Sequence, residues 1–241
     1  MSRRLDVKKE EWRTGFQAIL PVCISYVPIG LACGVLLQQA GFNSIAVLMT
    51  SLFIYGGASQ FMIASMTMSG VGVLEIVLMV FFINLRHLLM SSTLASRLKN
   101  ESTLFNMLFA QTITDESYAV NLMKFKLDSG WTTNKALVAG TASYLTWGIS
   151  TFIGGVLGNS VTISTVIMNY MLTAMFIYLL AAQIENWVLF WTSIFAIVLS
   201  VILKVILKNG IAILIASIIA SFFGLVLSTI KEKKEGVIHE S

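Results

Sequence analysis

No aspartate, glutamate, lysine or arginine occurs from Thr14 to Leu74, from Ala136 to Ile184, or from Asn209 to Ile230. Stretches of that length without a charge cannot form the surface of a soluble domain, and each is long enough to cross a hydrocarbon layer of about 30 Å at least once. The whole chain has 56% hydrophobic and 12% charged residues in 241, well outside the usual range of soluble globular proteins. It reads as an all-α polytopic membrane protein, with its charges confined to tails and short joints.

Apolar length, set against charges and Gly/Asn breaks, predicts segments near 16–37, 44–68, 76–96, 104–123, 136–158, 161–184, 187–207 and 210–230. These seven or eight segments make one integral membrane domain: a tail at 1–13, a transmembrane region at 14–230 and a tail at 231–241. The fourth segment carries Asn106, Gln111, Thr112, Thr114, Asp115, Glu116, Ser117 and Asn121. Lipid cannot surround such a helix on all sides, so it is expected to be re-entrant, discontinuous or enclosed. Small residues at Gly30, Gly34, Gly148, Gly154, Gly155 and Gly158 suit close helix packing.

The net charge of +4 resides largely in Arg3, Arg4, Lys8, Lys9 and Arg13 and in Lys231, Lys233 and Lys234. Basic clusters flanking apolar segments mark cytoplasmic ends and give no reason to expect nucleic acid as a partner. An eight-pass arrangement with both termini cytoplasmic leaves Arg97, Lys99, Lys204 and Lys208 on the outer side, against that bias. If the second segment dips in and returns, residues 97–135 become cytoplasmic. A faint echo pairs Tyr26 and Gly30 with Tyr144 and Gly148, and Gln60, Lys99 and Asn100 with Gln183, Lys208 and Asn209, as two weakly repeated halves would. Cys23 and Cys33, ten residues apart on one helix, lie roughly 15 Å apart and cannot pair with each other.

Three groups of residues could carry chemistry. Asn84, Arg86 and His87 sit in the middle of the third segment, where an arginine costs roughly 2.5 to 3.5 kcal/mol. An ionisable group at such depth marks a substrate or ion pathway facing the protein interior. Arg86 can grip a carboxylate through a bidentate fork, and His87 can exchange a proton near its ordinary pKa of about 6.5. Asn84 and His87, three residues apart, share a helix face that Arg86 does not.

The second group is Tyr55-Gly56-Gly57-Ala58-Ser59-Gln60-Phe61. Each glycine costs a helix interior about 1 kcal/mol relative to alanine, so Gly56 and Gly57 invite a break. Ser59 and Gln60 would then orient a ligand or bond a neighbouring helix. The third is Asp115-Glu116, adjacent acids that cannot face one point, so that one pairs with Arg86 while the other meets water or a substrate ammonium. No metal-ligand spacing, catalytic motif or cofactor-binding motif occurs.

Together these elements resemble the AzlC family of branched-chain amino acid exporters, whose larger subunit is also called YgaZ. The resemblance rests on Tyr26-Val27-Pro28-Ile29-Gly30-Leu31-Ala32-Cys33-Gly34, on Tyr55 to Phe61, on Asn84-Leu85-Arg86-His87-Leu88-Leu89-Met90 and on Thr114-Asp115-Glu116-Ser117-Tyr118-Ala119. It implies export of leucine, isoleucine, valine or similar apolar amino acids from a bacterial cytoplasm, together with a small AzlD-type membrane subunit; the proton gradient is the driving force expected from the ionisable groups at depth. Arg86 would hold the carboxylate or gate the site, Asp115 and Glu116 the ammonium or protons, and Gln60 with Asn84 would orient the substrate. The competing readings are a membrane scaffold, a channel, or an intramembrane enzyme using His87 with Asp115.

Overall fold

The structure is a computed structural model that describes residues 2–98, 101–158, 160, 186–207 and 211–234, together with isolated positions from 170 to 184; side chains at 2–9, 211–214 and 232–234 are left aside. The predicted segment at 161–184 lies almost wholly outside the described residues, as do Lys99, Asn100, Gln183, Lys208 and Asn209 of the sequence echo. The helices are α1 (Ser2–Gln39), α2 (Ser44–Phe53), α3 (Gly57–Met68), α4 (Val73–Ala95), α5 (Thr103–Gln111), α6 (Asp115–Leu127), α7 (Thr133–Leu157), α8 (Trp187–Leu207) and α9 (Ile211–Lys234). Among the described residues, the stretches long and apolar enough to cross a membrane are Glu10–Gln39, Val73–Ala95, Thr133–Leu157 and Trp187–Leu207. Residues of the expected tail at 1–13 are helical from Ser2 and continue into the apolar stretch that begins at Glu10.

The chain forms two compact units, residues 1–70 with 76–164, and residues 71–75 with 165–241. In the second, α8 packs on α9 through stacked Phe195 and Phe223, 4.2 Å between ring centroids, and through Gly224, which leaves room for Thr192. The first unit is built on α1 and α7. Gly15 lies against the Lys135 carbonyl and Val138, Gly30 against Ser150, Gly34 against the backbone of Thr151 and Gly155, and Gly158 against Gln38. Contacts that advance together along both chains make α1 and α7 parallel. At Gly34 and Gly154 a Cβ would strike the facing backbone, so these positions need glycine for the helices to touch, the small-residue packing common in membranes.

Helix α4 runs the other way. Its end, with Leu94 and the following Leu98, shares one apolar cluster with Ile19 and Cys23 in the middle of α1, with Ala136 and Ala139 near the start of α7, and with Trp131. It therefore begins on the side where α1 ends. The chain between them, α2 and α3, starts on that side and must return to it.

Side-chain contacts trace the return. Ser44 donates to the Gly155 carbonyl, Ser51 pairs with Thr151, and Tyr55 donates to Ser143, so α2 descends along α7 to its middle. Tyr55 then adopts a left-handed backbone with φ 38°. A straight continuation would carry Gln60 more than about 13 Å beyond Ser51, yet Gln60 Nε2 donates to Ser51 Oγ at 2.8 Å and to Thr50 Oγ1 at 3.0 Å. The break lies at 54–56, with Gly57 and Ser59 already in the first turn of α3.

A second hairpin enters from the opposite side. At its base Glu101 accepts from Thr133; at its tip Thr112 packs on Gly140; on the return Asn121 lies by the Ala136 carbonyl and Trp131 Nε1. Helices α5 and α6 thus rise to the middle of α7 and come back. Both broken segments are re-entrant, which brings Arg97, Lys124, Lys126 and Lys135 to the side where α1 begins. The arrangement that left Arg97 on the far side is corrected by this reversal.

Candidate functional site

The two hairpin tips meet at mid-depth. Tyr55 touches Ser143 and Tyr144 at the centre of α7, and its ring packs edge-on against Tyr144 at 4.6 Å. The break in the first hairpin frees the Leu52 carbonyl from helical bonding. Tyr144 donates to it at 2.6 Å and Gln111, at the end of α5, donates to it at 3.0 Å. One carbonyl thereby joins both tips and α7.

Each tip opens into a helix start, and the two starts differ. At α6, Thr114 and Ser117 form a reciprocal capping box, with Asp115 and Glu116 in the first turn, where the helix dipole favours negative charge. At α3 the N-cap is Gly56, with no side chain capping the helix. A Cβ at Gly56 would lie 3.1 Å from Ser59 Oγ, 3.2 Å from Asn84 Oδ1 and 3.5 Å from His87 Cε1. Glycine lets these three polar groups close around the uncapped start, and Ser59 donates to Asn84.

Arg86 reaches from α4 to Asp115, Nη1 to Oδ2 at 2.8 Å, with side chains 27% and 47% exposed. Glu116 accepts from the Tyr26 hydroxyl at 2.7 Å, and that hydroxyl also meets Thr114 Oγ1 at 2.9 Å. With both carboxyls ionised, one guanidinium against two acids leaves a net negative charge beside the α6 start. The α3 start presents the positive end of its dipole, and no side chain of its N-cap residue caps its first amides. The region thus offers places for both ends of a zwitterion.

Of the residues singled out in the sequence, Arg86 and Asp115 come together, Ser59, Asn84 and His87 gather at Gly56, and Glu116 lies on the Tyr26 side. Gln60 is different. It is fully buried, and its amide is committed to Thr50, Ser51 and, through Oε1, the indole of Trp147 at 2.7 Å. In this conformation it braces the first hairpin, and Gly57 sits against the same indole. Sequence reasoning gave no role to Tyr26, Tyr144, Trp147 or Gln111. The polar tips of Tyr and Trp in apolar helices, which need partners when buried, were the signal available. Among the described residues no cluster of three metal-ligating side chains occurs.

Fold and composition together define an all-α integral membrane protein whose polar interior is built by two opposed re-entrant hairpins. The chain belongs to the AzlC family: the family model described as AzlC protein matches residues 21–161, a range that takes in both hairpins, α4 and α7. Among its relatives, Escherichia coli inner membrane protein YgaZ is 29% identical over 182 residues, covering 71% of this chain and 73% of that protein. The Bacillus subtilis branched-chain amino acid transport protein AzlC is 23% identical over 196 residues, covering 78% and 74%. An uncharacterized membrane protein of Archaeoglobus fulgidus is 28% identical over 184 residues, covering 74% and 78%. No solved structure matches.

Proposed function

We propose that this chain is the larger subunit of a secondary transporter that exports branched-chain amino acids from the bacterial cytoplasm, coupled to protons and assembled with a small AzlD-type membrane subunit. The observation that carries the reading is the pairing of unlike helix starts at mid-depth. Broken helices whose starts face a membrane-centre site are how several transporter folds hold anionic substrate groups. The substrate carboxylate would sit at the uncapped start of α3, within reach of Arg86 and Asn84. Its ammonium would meet Glu116 and Asp115, while His87 and the acids exchange the proton. The printed name of the Bacillus subtilis relative supports an apolar amino acid as the substrate.

Sidedness follows from charge. Arg13, Arg97, Lys124, Lys126 and Lys135 flank the starts of α1 and α7 and the end of α4, whereas residues 38–44 and 69–72 hold no lysine or arginine. The positive-inside bias favours a cytoplasmic face on the basic side, with the start of α1 inside. The test loads cells lacking other exporters with an isoleucine-containing dipeptide and follows efflux of free isoleucine. Cells expressing this chain with its small subunit are expected to release it several-fold faster. Equal rates would overturn the assignment.

A further inference from the structure

The run helix, re-entrant hairpin occurs twice in the first unit, once as α1 with α2–α3 and once as α4 with α5–α6. Helices α2 and α5 begin at Ser44 and Thr103 and end at Phe53 and Gln111; α3 and α6 begin at Gly57 and Asp115 and end at Met68 and Leu127. Each of these four hairpin boundaries is offset by 58 or 59 residues. Helices α1 and α4 are antiparallel, and the hairpins enter from opposite sides, so the two runs form an inverted repeat. The sequence echo of Tyr26 and Gly30 with Tyr144 and Gly148 is a different relation, since it joins α1 and α7, which are parallel.

Resting on the transport reading above, we propose that the two hairpins are paired gates that open alternately, each exposing the common site to its own side of the membrane. An inverted repeat supplies the same element to both faces, so exchanging the conformations of the two runs converts an inward-open state into an outward-open one. The tips already differ in how they are held. The α5–α6 tip is tied by ionic and charge-assisted contacts, Arg86 to Asp115 and Tyr26 to Glu116. The α2–α3 tip is tied to α7 by neutral ones, Ser51 to Thr151 and Gln60 to Trp147. Between the tips runs the bond from Gln111 to the Leu52 carbonyl, a contact that swinging either hairpin would break. Because one half of the site belongs to each tip, moving either gate also takes the site apart.

The test pins one gate. Ser51 and Thr151 hydroxyls lie 2.6 Å apart, so Ser51→Cys/Thr151→Cys can form a disulfide between the first hairpin and α7. Valine efflux from vesicles containing the full chain and its small subunit is expected to fall at least tenfold on oxidation and to return on reduction. Glu101→Cys/Thr133→Cys, at the base of the second hairpin, is expected to tolerate oxidation. Equal efflux from oxidised and reduced Ser51→Cys/Thr151→Cys overturns the gate proposal while leaving transport intact; absence of efflux from the unmodified protein overturns the transport reading beneath it. Amide hydrogen exchange on the unmodified complex is an independent check that needs no variant to fold. Valine is expected to shift residues 54–60 and 112–118 in opposite directions, and a shift in the same direction overturns the proposal.

Discussion

The α2–α3 hairpin has no charged residue from Ser44 to Met68, and its turn is held by Thr50, Ser51, Gln60 and Trp147. The α5–α6 hairpin ends in two acids held by a guanidinium and a phenol from other helices. Neutral donors and acceptors can be satisfied inside a bundle at little net cost, each bond being worth about 1 kcal/mol. Ionised groups need a counter-charge from elsewhere, and losing it leaves a desolvated charge behind. A charged substrate can therefore compete for the contacts of the second hairpin, whereas it has little to offer those of the first. The two hairpins are thus held differently, the first by neutral bonds that a substrate charge does not contest and the second by ionic ones that it does.

Removing the guanidinium tests that contrast most severely. Arg86→Ala leaves Asp115 without its partner and removes the cation that the transport reading assigns to the substrate carboxylate. Export is expected to drop by about 100-fold or more, in line with the roughly 3 kcal/mol a charge-assisted bond can supply. Arg86→Gln/Asp115→Asn removes both charges together and is expected to fold better than Arg86→Ala, because neither residue is left as a lone ion. It is nevertheless expected to stay inactive. Efflux, read beside thermal melting of detergent-purified protein, separates the two effects; an active double-neutral variant would make the ion pair purely structural.

For the neutral hairpin the sign of the comparison reverses, since stability should suffer before turnover does. Gln60→Ala deletes three hydrogen bonds and leaves the buried Trp147 indole without an acceptor. The expected loss is about 2 to 4 kcal/mol of stability, seen as a lower melting temperature. Protein that remains folded in the cold is expected to bind and export with little change. If export is lost at full stability, Gln60 contacts the substrate and is no mere brace.

A break beside the Gly56-Gly57 pair and the polar load of the fourth segment were legible in the sequence, because glycine pairs and clustered polar side chains are local costs; the break itself falls at 54–56, with Gly57 already helical. The pairing of Arg86 with an acid of the 115–116 doublet was legible as one option, since charge at depth demands a partner. The direction of the chain after each break was not. It depends on contacts between residues some 90 apart, such as Tyr144 with Leu52 and Trp147 with Gln60, for which no local pattern exists. The charge count held a partial answer: reversing the second segment alone would have brought Arg97 to the basic side, but only reversing the fourth as well lets α7 start there. For Gln60 the sequence left two partners open, a ligand or a neighbouring helix, and the structure shows its amide bonded to Thr50, Ser51 and Trp147. An amide in an apolar helix advertises a need for partners and says nothing about whether they are protein or substrate.

The smallest expected effect compares the two hairpins where they should be alike. Each begins with a capped helix at the membrane face: Asn43 accepts from the Ala46 amide and Ser102 from the Phe105 amide. Neither cap touches a tip, so chemistry at the tips should not distinguish them. Asn43→Ala and Ser102→Ala are each expected to cost about 1 kcal/mol, a shift of a few degrees in melting, with export unchanged. Equal losses would show that the asymmetry between hairpins is confined to their tips. A much larger loss at Ser102 would place the weakness of the second hairpin at its base, and the contrast between neutral and ionic tethering would then have to be redrawn along the whole length of α5.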